Sequence, residues 1–262
     1  MSSESIRKKV AEGDAWYTES QHLSQLGSPG GRWALEWRWG LFGHILDQWL
    51  MRKNSQDRLP SPLQVLDAGC GDGINIKVLH DLLSRRNISV EIVGCDYNNL
   101  RLNRASQDRS HRILEVDLRA IPFPHESFDV VLCSHVLEHI HDDVMAMREL
   151  SRIIRRTGLV IIAVPNEGCL LAKLRNHVVQ PSILRTTDHC QFYTAKILME
   201  RAEQAGLLPV GRVEREGVFL PHLGLYSRLR ETRLGRFLIP HATRILPSQA
   251  AGLVAGFRVS SI

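Results

Sequence analysis

The chain has 262 residues, of which 44% are apolar, and a formal net charge of +5. This composition supports a substantial hydrophobic core and excludes a disordered chain. No apolar run approaches the roughly 18 residues that a membrane span needs, and the opening residues lack the apolar segment of a secretory signal, so we expect no membrane span, no secretion and a cytoplasmic location.

The N-terminal part of the chain differs from the rest in composition. All five tryptophans lie in the first 49 residues, before a polar, proline-bearing stretch that is typical of a connector. We therefore predict a Trp-rich helical cap over residues 1–57 that serves the substrate, and a main domain over residues 58–262. Trp33 and Trp37 are one helical turn apart, so they either stack on a ligand above a pocket or pack the cap against the main domain.

Apolar runs of strand length alternate with helical stretches in the middle of the chain. The runs cover residues 64–68, 90–96, 112–117, 128–134 and 158–164. Strands this apolar belong to a sheet that is covered on both faces. The alternation predicts an α/β fold with an open, doubly wound, mostly parallel sheet, in which ligands bind beyond the carboxyl ends of the strands.

Two of the predicted helices have recognisable ends. Asp142 or Asp143 can cap the first, whose apolar residues recur three or four apart, and Gly158 stands where its C-terminal cap belongs. Thr194 can cap the second, which Gly206 ends.

The C-terminal region carries the excess positive charge. From residue 201 onward the sequence has nine arginines and four glutamates, and residues 207–218 and 252–261 indicate two further strands around an arginine-rich connection. Such a region is most simply a solvated surface, although it can also meet phosphate or an anionic membrane. The apolar, arginine-bearing segment 234–246 either packs on the sheet or rests on a membrane surface or a partner.

A glycine-rich loop follows the first predicted strand, in the segment VLDAGCGDG (65–73). Glycines there allow a tight turn and let backbone N–H groups approach a ligand, at the start of a helix whose dipole favours a negative group. The spacing is GxGxG, whereas a dinucleotide fold has GxGxxG and would need a glycine at Ile74. Asp67 before the loop favours a ligand that also carries an ammonium or sulfonium charge.

Four segments in chain order resemble the motifs of class I S-adenosylmethionine-dependent methyltransferases. They are VLDAGCGDG (65–73), VGCDYN (93–98), EVDLRAIPFPHESFDVV (115–131) and CSHVLEHI (133–140). The similarity is greatest to the small-molecule branch with LPFPDxSFD and VLEH patterns. It implies a seven-stranded Rossmann-like methyltransferase fold, S-adenosylmethionine as cofactor, and transfer of a methyl group to a small-molecule acceptor, at a hydroxyl oxygen, in a biosynthetic pathway.

The same resemblance implies roles for individual residues. Asp96 would accept hydrogen bonds from the ribose hydroxyls, and Asp117 would face the adenine amino group. The implied cofactor-binding residues are Asp67, Gly69, Cys70, Gly71, Asp96, Tyr97, Asp117, Leu118 and Ser134.

The sequence leaves two possibilities for the catalytic group, a general base or a bound metal ion. Methyl transfer from a sulfonium needs a base only if the acceptor arrives protonated, and His135 and His139 are the candidate bases because the pKa of histidine lies near working pH. Alternatively, His135, Glu138, His139 and the distant His189 resemble the ExxEH-plus-His metal site of 2′-hydroxyl RNA methyltransferases and of some quinone-ring O-methyltransferases.

Two alternative functions stay open. One is a metal-assisted RNA 2′-O-methyltransferase, although no aromatic-rich RNA-binding module is recognisable, so we do not expect nucleic acid as a partner. The other is a catalytically silent relative that only binds the cofactor. The sequence does not predict the oligomeric state.

Overall fold

The structure is a computed structural model that describes residue 18 and residues 21–53, 59–107, 111–182, 188–220 and 222–260. Its helices are α1 (Gln21–Leu26), α2 (Pro29–Met51), α3 (Ile74–Ser84), α4 (Asn99–Ala105), α5 (Asp143–Ile153), α6 (Leu170–Leu174), α7 (Ala195–Gln204), α8 (Leu223–Glu231) and α9 (Arg233–Ile245). Its strands are β1 (Leu63–Ala68), β2 (Val90–Asp96), β3 (Arg112–Glu115), β4 (Phe128–Ser134), β5 (Ile154–Pro165), β6 (Leu207–Pro209), β7 (Glu214–Glu216) and β8 (Gly252–Val259). Short helical turns lie at Leu137–His139, Arg175–Val179 and Pro247–Gln249.

The strands form one mixed sheet in the order β3-β2-β1-β4-β5-β8-β6, and β7 pairs with β8 beside this path. The first five strands are parallel, and β8 runs antiparallel to β5, β6 and β7. The predicted doubly wound, mostly parallel sheet is confirmed. The seven strands of the main path match the expected number, and β7 is an eighth, because residues 207–218 form two short strands where the sequence suggested one.

Helices cover both faces of the sheet because successive strand residues point to opposite sides. Val65 belongs to the core that α2, α3 and α4 cover, and its neighbour Leu66 belongs to the core that α5 and α7 cover. Both side chains are completely buried. The strand order reverses between β1 and β4, so their carboxyl ends leave a crevice of the kind that binds ligands in such sheets.

The predicted role of Gly158 as a helix cap is wrong. Helix α5, capped by Asp142, ends at Ile153, and β5 begins at the next residue, so Gly158 lies inside the strand. The register between β4 and β5 is irregular there, and an added Cβ on Gly158 would lie 2.7 Å from Cγ1 of Ile154. Glycine therefore permits this close approach. The cap that Thr194 was predicted to give α7 is present, since its side chain accepts a hydrogen bond from the backbone N–H of Ile197.

Helix α2 packs along the sheet. Trp49 is buried and its Nε1 donates a hydrogen bond to the carbonyl of Thr157, at 3.0 Å. Trp39 donates from Nε1 to Oδ1 of Asn75, at 3.3 Å, beside the start of α3. These two tryptophans therefore attach α2 to the main domain. The predicted boundary near residue 57 lies outside the described residues and stays a prediction.

Glu231 joins α8 to the start of α2. Its Oε1 accepts a hydrogen bond from Ser28 Oγ at 2.8 Å, and its Oε2 accepts one from the backbone N–H of Gly30 at 2.9 Å. A carboxylate at a helix N-terminus is stabilised by the unpaired N–H groups there. Within the described ranges, no helix combines the length and apolar content required to span a bilayer.

Candidate active site

A cavity of about 240 Å³ lies at the carboxyl ends of β1, β2 and β4. The sequence-predicted site residues that line it are Gly69, Cys70, Gly71, Asp96, Tyr97, Ser134, His135 and His139. Arg38 of α2 and His189, from the segment before α7, also line the cavity. Three loops and two distant segments thus meet where the sheet topology predicts a ligand.

The glycine loop has the conformation that its sequence suggests. Gly69 and Gly71 have φ values of +82° and +51°, which favour glycine. An added Cβ on Gly69 would lie 2.2 Å from Cγ2 of Val136, so this glycine lets the loops after β1 and β4 touch. An added Cβ on Gly71 would meet nothing nearer than 3.9 Å, so the backbone at Gly71 is open toward the cavity.

Asp96 ties the loop after β1 to the loop after β2. Its Oδ2 accepts a hydrogen bond from the backbone N–H of Gly71, and its Oδ1 accepts one from the backbone N–H of Asn98, both at 2.9 Å. Burial raises the pKa of Asp96, although the two backbone hydrogen bonds oppose the shift. Asp96 therefore fixes the cavity floor through its own contacts.

Asp67 lies beneath the glycine loop and is completely buried. Neither of its carboxyl oxygens has a hydrogen-bond partner within the described parts of the chain. Burial, and then the charge of Asp96, raise the pKa of Asp67 to about 8. The neutral acid is the more stable form of such a group, because burying an unpaired carboxylate raises the free energy of the folded state. Asp67 is not among the residues that line the cavity.

Asp117 and Leu118 lie away from the cavity wall. Asp117 pairs with the neighbouring Arg119, whose Nη2 is 2.6 Å from Oδ2, and this hydrogen bond lowers the pKa of Asp117. Leu118 is buried in the core on the α5 side. The structure does not bring these two predicted cofactor contacts to the residues that line the cavity.

His135 is held between two acids at the end of β4. Its Nδ1 is 3.2 Å from Oε1 of Glu138, and its Nε2 is 3.9 Å from Oε1 of Glu216, too far for a hydrogen bond. Burial and Arg38 lower the pKa of His135, but the two acids outweigh them and raise it overall. His135 also has a φ of +56°, an uncommon value for a residue with a side chain.

Glu138, His139 and His189 form a second cluster on the same wall. Each offers a ligand atom within 4.8 Å of the others, an arrangement that can hold a metal ion. Burial opposes ionisation of Glu138, but the hydrogen bond from His135 and the neighbouring histidines lower its pKa to about 2. Burial lowers the pKa of His139 to about 4. The distant candidate His189 is part of this cluster, whereas His135, which the sequence suggested as the first ligand of the motif, is not.

Glu167 and Arg175 support the cluster from behind, and neither was predicted from the sequence. His189 Nδ1 donates to Oε2 of Glu167 at 2.7 Å, and Arg175 Nη2 donates to Oε1 of Glu167 at 2.6 Å. Glu167 thus engages Nδ1 of His189, so that Nε2 is the ring nitrogen that would contact a metal ion. Glu167 could have been found, since it comes two residues after the end of β5 at the same edge of the sheet. Arg38 and Glu216 gave no such signal.

The tryptophans do not line this cavity. Trp33 and Trp37 contact each other with ring centroids 5.3 Å apart. Both line a separate cavity beside α9, and Trp37 also lines a smaller one that shares Arg38 and His135 with the candidate active site. Trp16 lies outside the described residues.

The α/β sheet has a glycine loop after β1, an acid at the end of β2 and titratable groups after β4, which is the arrangement of a nucleotide-type ligand-binding domain. Residues 31–210 match the family described as "Methyltransferase domain". This match covers more than half of the chain, so the chain belongs to this family.

Several named relatives agree with this membership. A ubiquinone biosynthesis O-methyltransferase of Ruegeria sp. is 33% identical over 177 residues, which cover 63% of this chain and 67% of that protein. A 2-methyl-6-phytyl-1,4-hydroquinone methyltransferase of Synechocystis sp. is 28% identical over 174 residues, 64% of this chain and 52% of that protein. A probable S-adenosylmethionine-dependent methyltransferase of Mycobacterium tuberculosis is 30% identical over 103 residues, 39% of this chain, and the chain spans about a third (35%) of its length.

Solved structures agree on the fold. An S-adenosylmethionine-dependent methyltransferase of Mesorhizobium loti has a TM-score of 0.53 at 18% identity, covering 76% of this chain and 93% of that one. The cyclase SpnF has a TM-score of 0.53 at 15% identity, covering 83% and 80%. A likeness at this level of identity shows the fold but not the activity, which depends on the residues of the site. The family match and the named relatives confirm the predicted class I S-adenosylmethionine-dependent methyltransferase and its cofactor, and the solved structures confirm the fold alone.

Proposed function

We propose that the chain transfers the methyl group of S-adenosylmethionine to a hydroxyl oxygen of a small-molecule acceptor. One observation carries the proposal: the glycine-loop cavity and the Glu138, His139 and His189 cluster share one wall, so that a bound cofactor and an activating group would face the same acceptor. The names of the ubiquinone and hydroquinone relatives add support for a phenolic or quinol-type ring.

The residues on the strand ends fit an adenosyl ligand. Gly71 leaves its backbone open to the cavity, and Asp96, already fixed by two N–H groups, is the acid expected at the ribose. A positively charged ligand nearby would favour ionisation of the buried acid Asp67, whose oxygens have no hydrogen-bond partner among the described residues. When bound, the cofactor supplies a methyl group on a sulfonium, which is already a good leaving group. Asp117, Leu118, Cys70, Tyr97 and Ser134 stay predictions as cofactor contacts.

The protein's own contribution is to orient the acceptor and to handle its proton. Holding the acceptor on the axis of displacement can supply most of the rate enhancement. Glu138, His139 and His189 would hold a divalent cation, which lowers the pKa of a bound hydroxyl when present. Glu167 positions His189 for this task through its hydrogen bond to Nδ1. In the metal-free alternative, His139 or His135 accepts the acceptor's proton directly.

The first experiment is calorimetric titration with S-adenosylhomocysteine and, separately, with NAD. The proposal requires binding of the adenosyl ligand alone, and it fails if neither binds. Methyl transfer to a catechol is then followed with a labelled methyl donor, with and without EDTA. If EDTA abolishes methyl transfer and a divalent cation restores it, the metal-assisted mechanism is supported. If methyl transfer resists EDTA but is lost in His139→Ala, the histidine acts as a general base. His80→Ala, an exposed histidine outside the site, is the matched control.

An RNA 2′-hydroxyl is the second candidate acceptor, because the same cluster suits any hydroxyl and the C-terminal region is basic. RNA binding that weakens steeply with salt would favour it, since phosphate contacts release counterions. The cofactor site is the same for both acceptors, so the choice depends on the acceptor assay alone. A chain that binds S-adenosylhomocysteine but methylates neither class would be the catalytically silent relative.

A further inference from the structure

Helix α9 has one buried face and a second, apolar face that no element among the described residues covers. Gly235, Ile239 and Thr243, which recur every four residues, are buried against the rest of the fold. Gly235 makes this packing close, because an added Cβ would lie 1.8 Å from the carbonyl oxygen of Leu229 in α8. Packing on the protein's own fold, one of the two expectations for this segment, thus accounts for one face.

The second face carries large exposed apolar side chains. At 3.6 residues per turn, Leu234, Phe237, Leu238 and Ile245 fall within one arc of about 100°, which we call the apolar stripe, and the polar His241 lies among them. Phe237 is 63% exposed and Ile245 is 76% exposed. Leu223 and Leu225 of the adjoining α8 are exposed as well. Contiguous exposed apolar surface of this kind marks an interaction site.

The charge around the apolar stripe indicates its partner. Arg233 and Arg244 are exposed and lie along one border of the stripe, between it and the buried face. Over residues 222–262 the sequence has six arginines and one acid. That acid is Glu231, whose two oxygens already bind Ser28 and Gly30. The surface therefore combines apolar side chains with an excess of arginine over acid in the surrounding sequence.

We propose that the apolar stripe of α9 docks on an anionic lipid surface, with the helix lying in the plane of the membrane. Basic amphipathic helices bind such surfaces because apolar side chains enter the headgroup region while arginines meet lipid phosphates. A protein partner of ordinary composition gives no reason for the arginine border, whereas an anionic bilayer satisfies both features. The proposal is independent of the methyl acceptor and of the cofactor.

The test is sedimentation of the full chain with vesicles of phosphatidylcholine, and with vesicles of equimolar phosphatidylcholine and phosphatidylglycerol. We expect binding to the anionic vesicles only, weakened by salt because the charges are exposed. Phe237→Asp should reduce binding at least tenfold, and each of Arg233→Ala and Arg244→Ala about fivefold. Met51→Asp is the matched control, since Met51 is 84% exposed but lies at the end of α2.

Thermal unfolding checks that the variants fold, as expected for exposed positions. The proposal is overturned if the wild-type chain ignores anionic vesicles, if it binds both kinds of vesicle equally, or if Phe237→Asp binds like the wild type. Sedimentation velocity without lipid tests whether a second copy of the chain covers the apolar stripe instead. Self-association that Phe237→Asp abolishes would make the stripe an interface between two copies and would also overturn the proposal.

Discussion

Glu167 orients His189: the Nδ1 of His189 lies 2.7 Å from Oε2 of Glu167, which fixes the histidine so that only Nε2 can act toward the cavity. Carboxylates behind metal-binding histidines typically contribute tenfold to a hundredfold in metal affinity. We expect Glu167→Gln to weaken binding of Mn²⁺ or Mg²⁺ by about this factor, measured by calorimetry. Glu149→Gln, which alters another arginine-paired glutamate away from the cluster, is the control. Equal affinity in Glu167→Gln and the wild type would contradict the assigned role.

The variant Asp96→Asn tests whether Asp96 binds the cofactor or only stabilises the fold. An asparagine presents an N–H₂ group to one of the two backbone N–H donors, so that donor loses its partner, at a cost of about 1–3 kcal/mol. We expect the affinity for S-adenosylhomocysteine to fall at least tenfold, by calorimetry. Asp129→Asn is the matched control, because Asp129 is also buried and accepts a backbone N–H from Gln64, far from the cavity. If both variants bind alike, Asp96 has only a structural role.

Gly69→Ala should destabilise the fold much more than Gly71→Ala. Both glycines have positive φ, which costs about 1 kcal/mol for alanine, but only the new methyl group at Gly69 collides with Val136. We expect a loss of roughly 2–4 kcal/mol for Gly69→Ala in urea unfolding. In Gly69→Ala combined with Val136→Ala, the collision is relieved and the loss should be less than the sum of the two single losses. Additive losses would show that the two loops do not touch.

Asp67 makes stability depend on pH in a known direction. Its pKa in the folded protein, about 8, is above the ordinary value of 3.8, so folding retains a proton that the unfolded chain has released. Stability from this group is complete below the ordinary pKa and is lost as the pH rises through the folded pKa. Between about pH 6 and pH 8 we expect the wild type to lose about 2 kcal/mol relative to Asp67→Asn, measured by urea unfolding. Parallel profiles for the two proteins would contradict the raised pKa.

The sheet could be predicted because its signals are local. Val65 and Leu66 are both apolar because both faces of β1 are covered, and that pattern is visible in any window of the sequence. Gly158 was misassigned because apolar periodicity continues through Ile154, and only the register of β4 and β5 shows that the strand has already begun. Local signals thus give the elements but not every boundary.

The site residues at the strand ends could be predicted for the same reason, whereas the side chains that distant segments bring next to the site could not. Gly69 and Gly71 lie in the loop directly after β1, and Asp96 is the last residue of β2. Arg38 and Glu216, whose side chains are 2.5 Å apart, are separated by 178 positions, and no local pattern connects them. Asp117 stays a prediction as a cofactor contact, and the sequence shows its competing partner, because Arg119 two residues later binds the same carboxylate.

The position of β8 between β5 and β6 determines when the sheet can be completed during synthesis of the chain. The five parallel strands can pair as each leaves the ribosome, but β6 is separated from β5 by β8, which is made more than forty residues later. Until β8 emerges, β6 has no hydrogen-bonding neighbour in the main sheet, and the growing edge at β5 remains open. A nascent chain arrested before residue 252 would therefore expose a long apolar edge strand, the form that chaperones must protect.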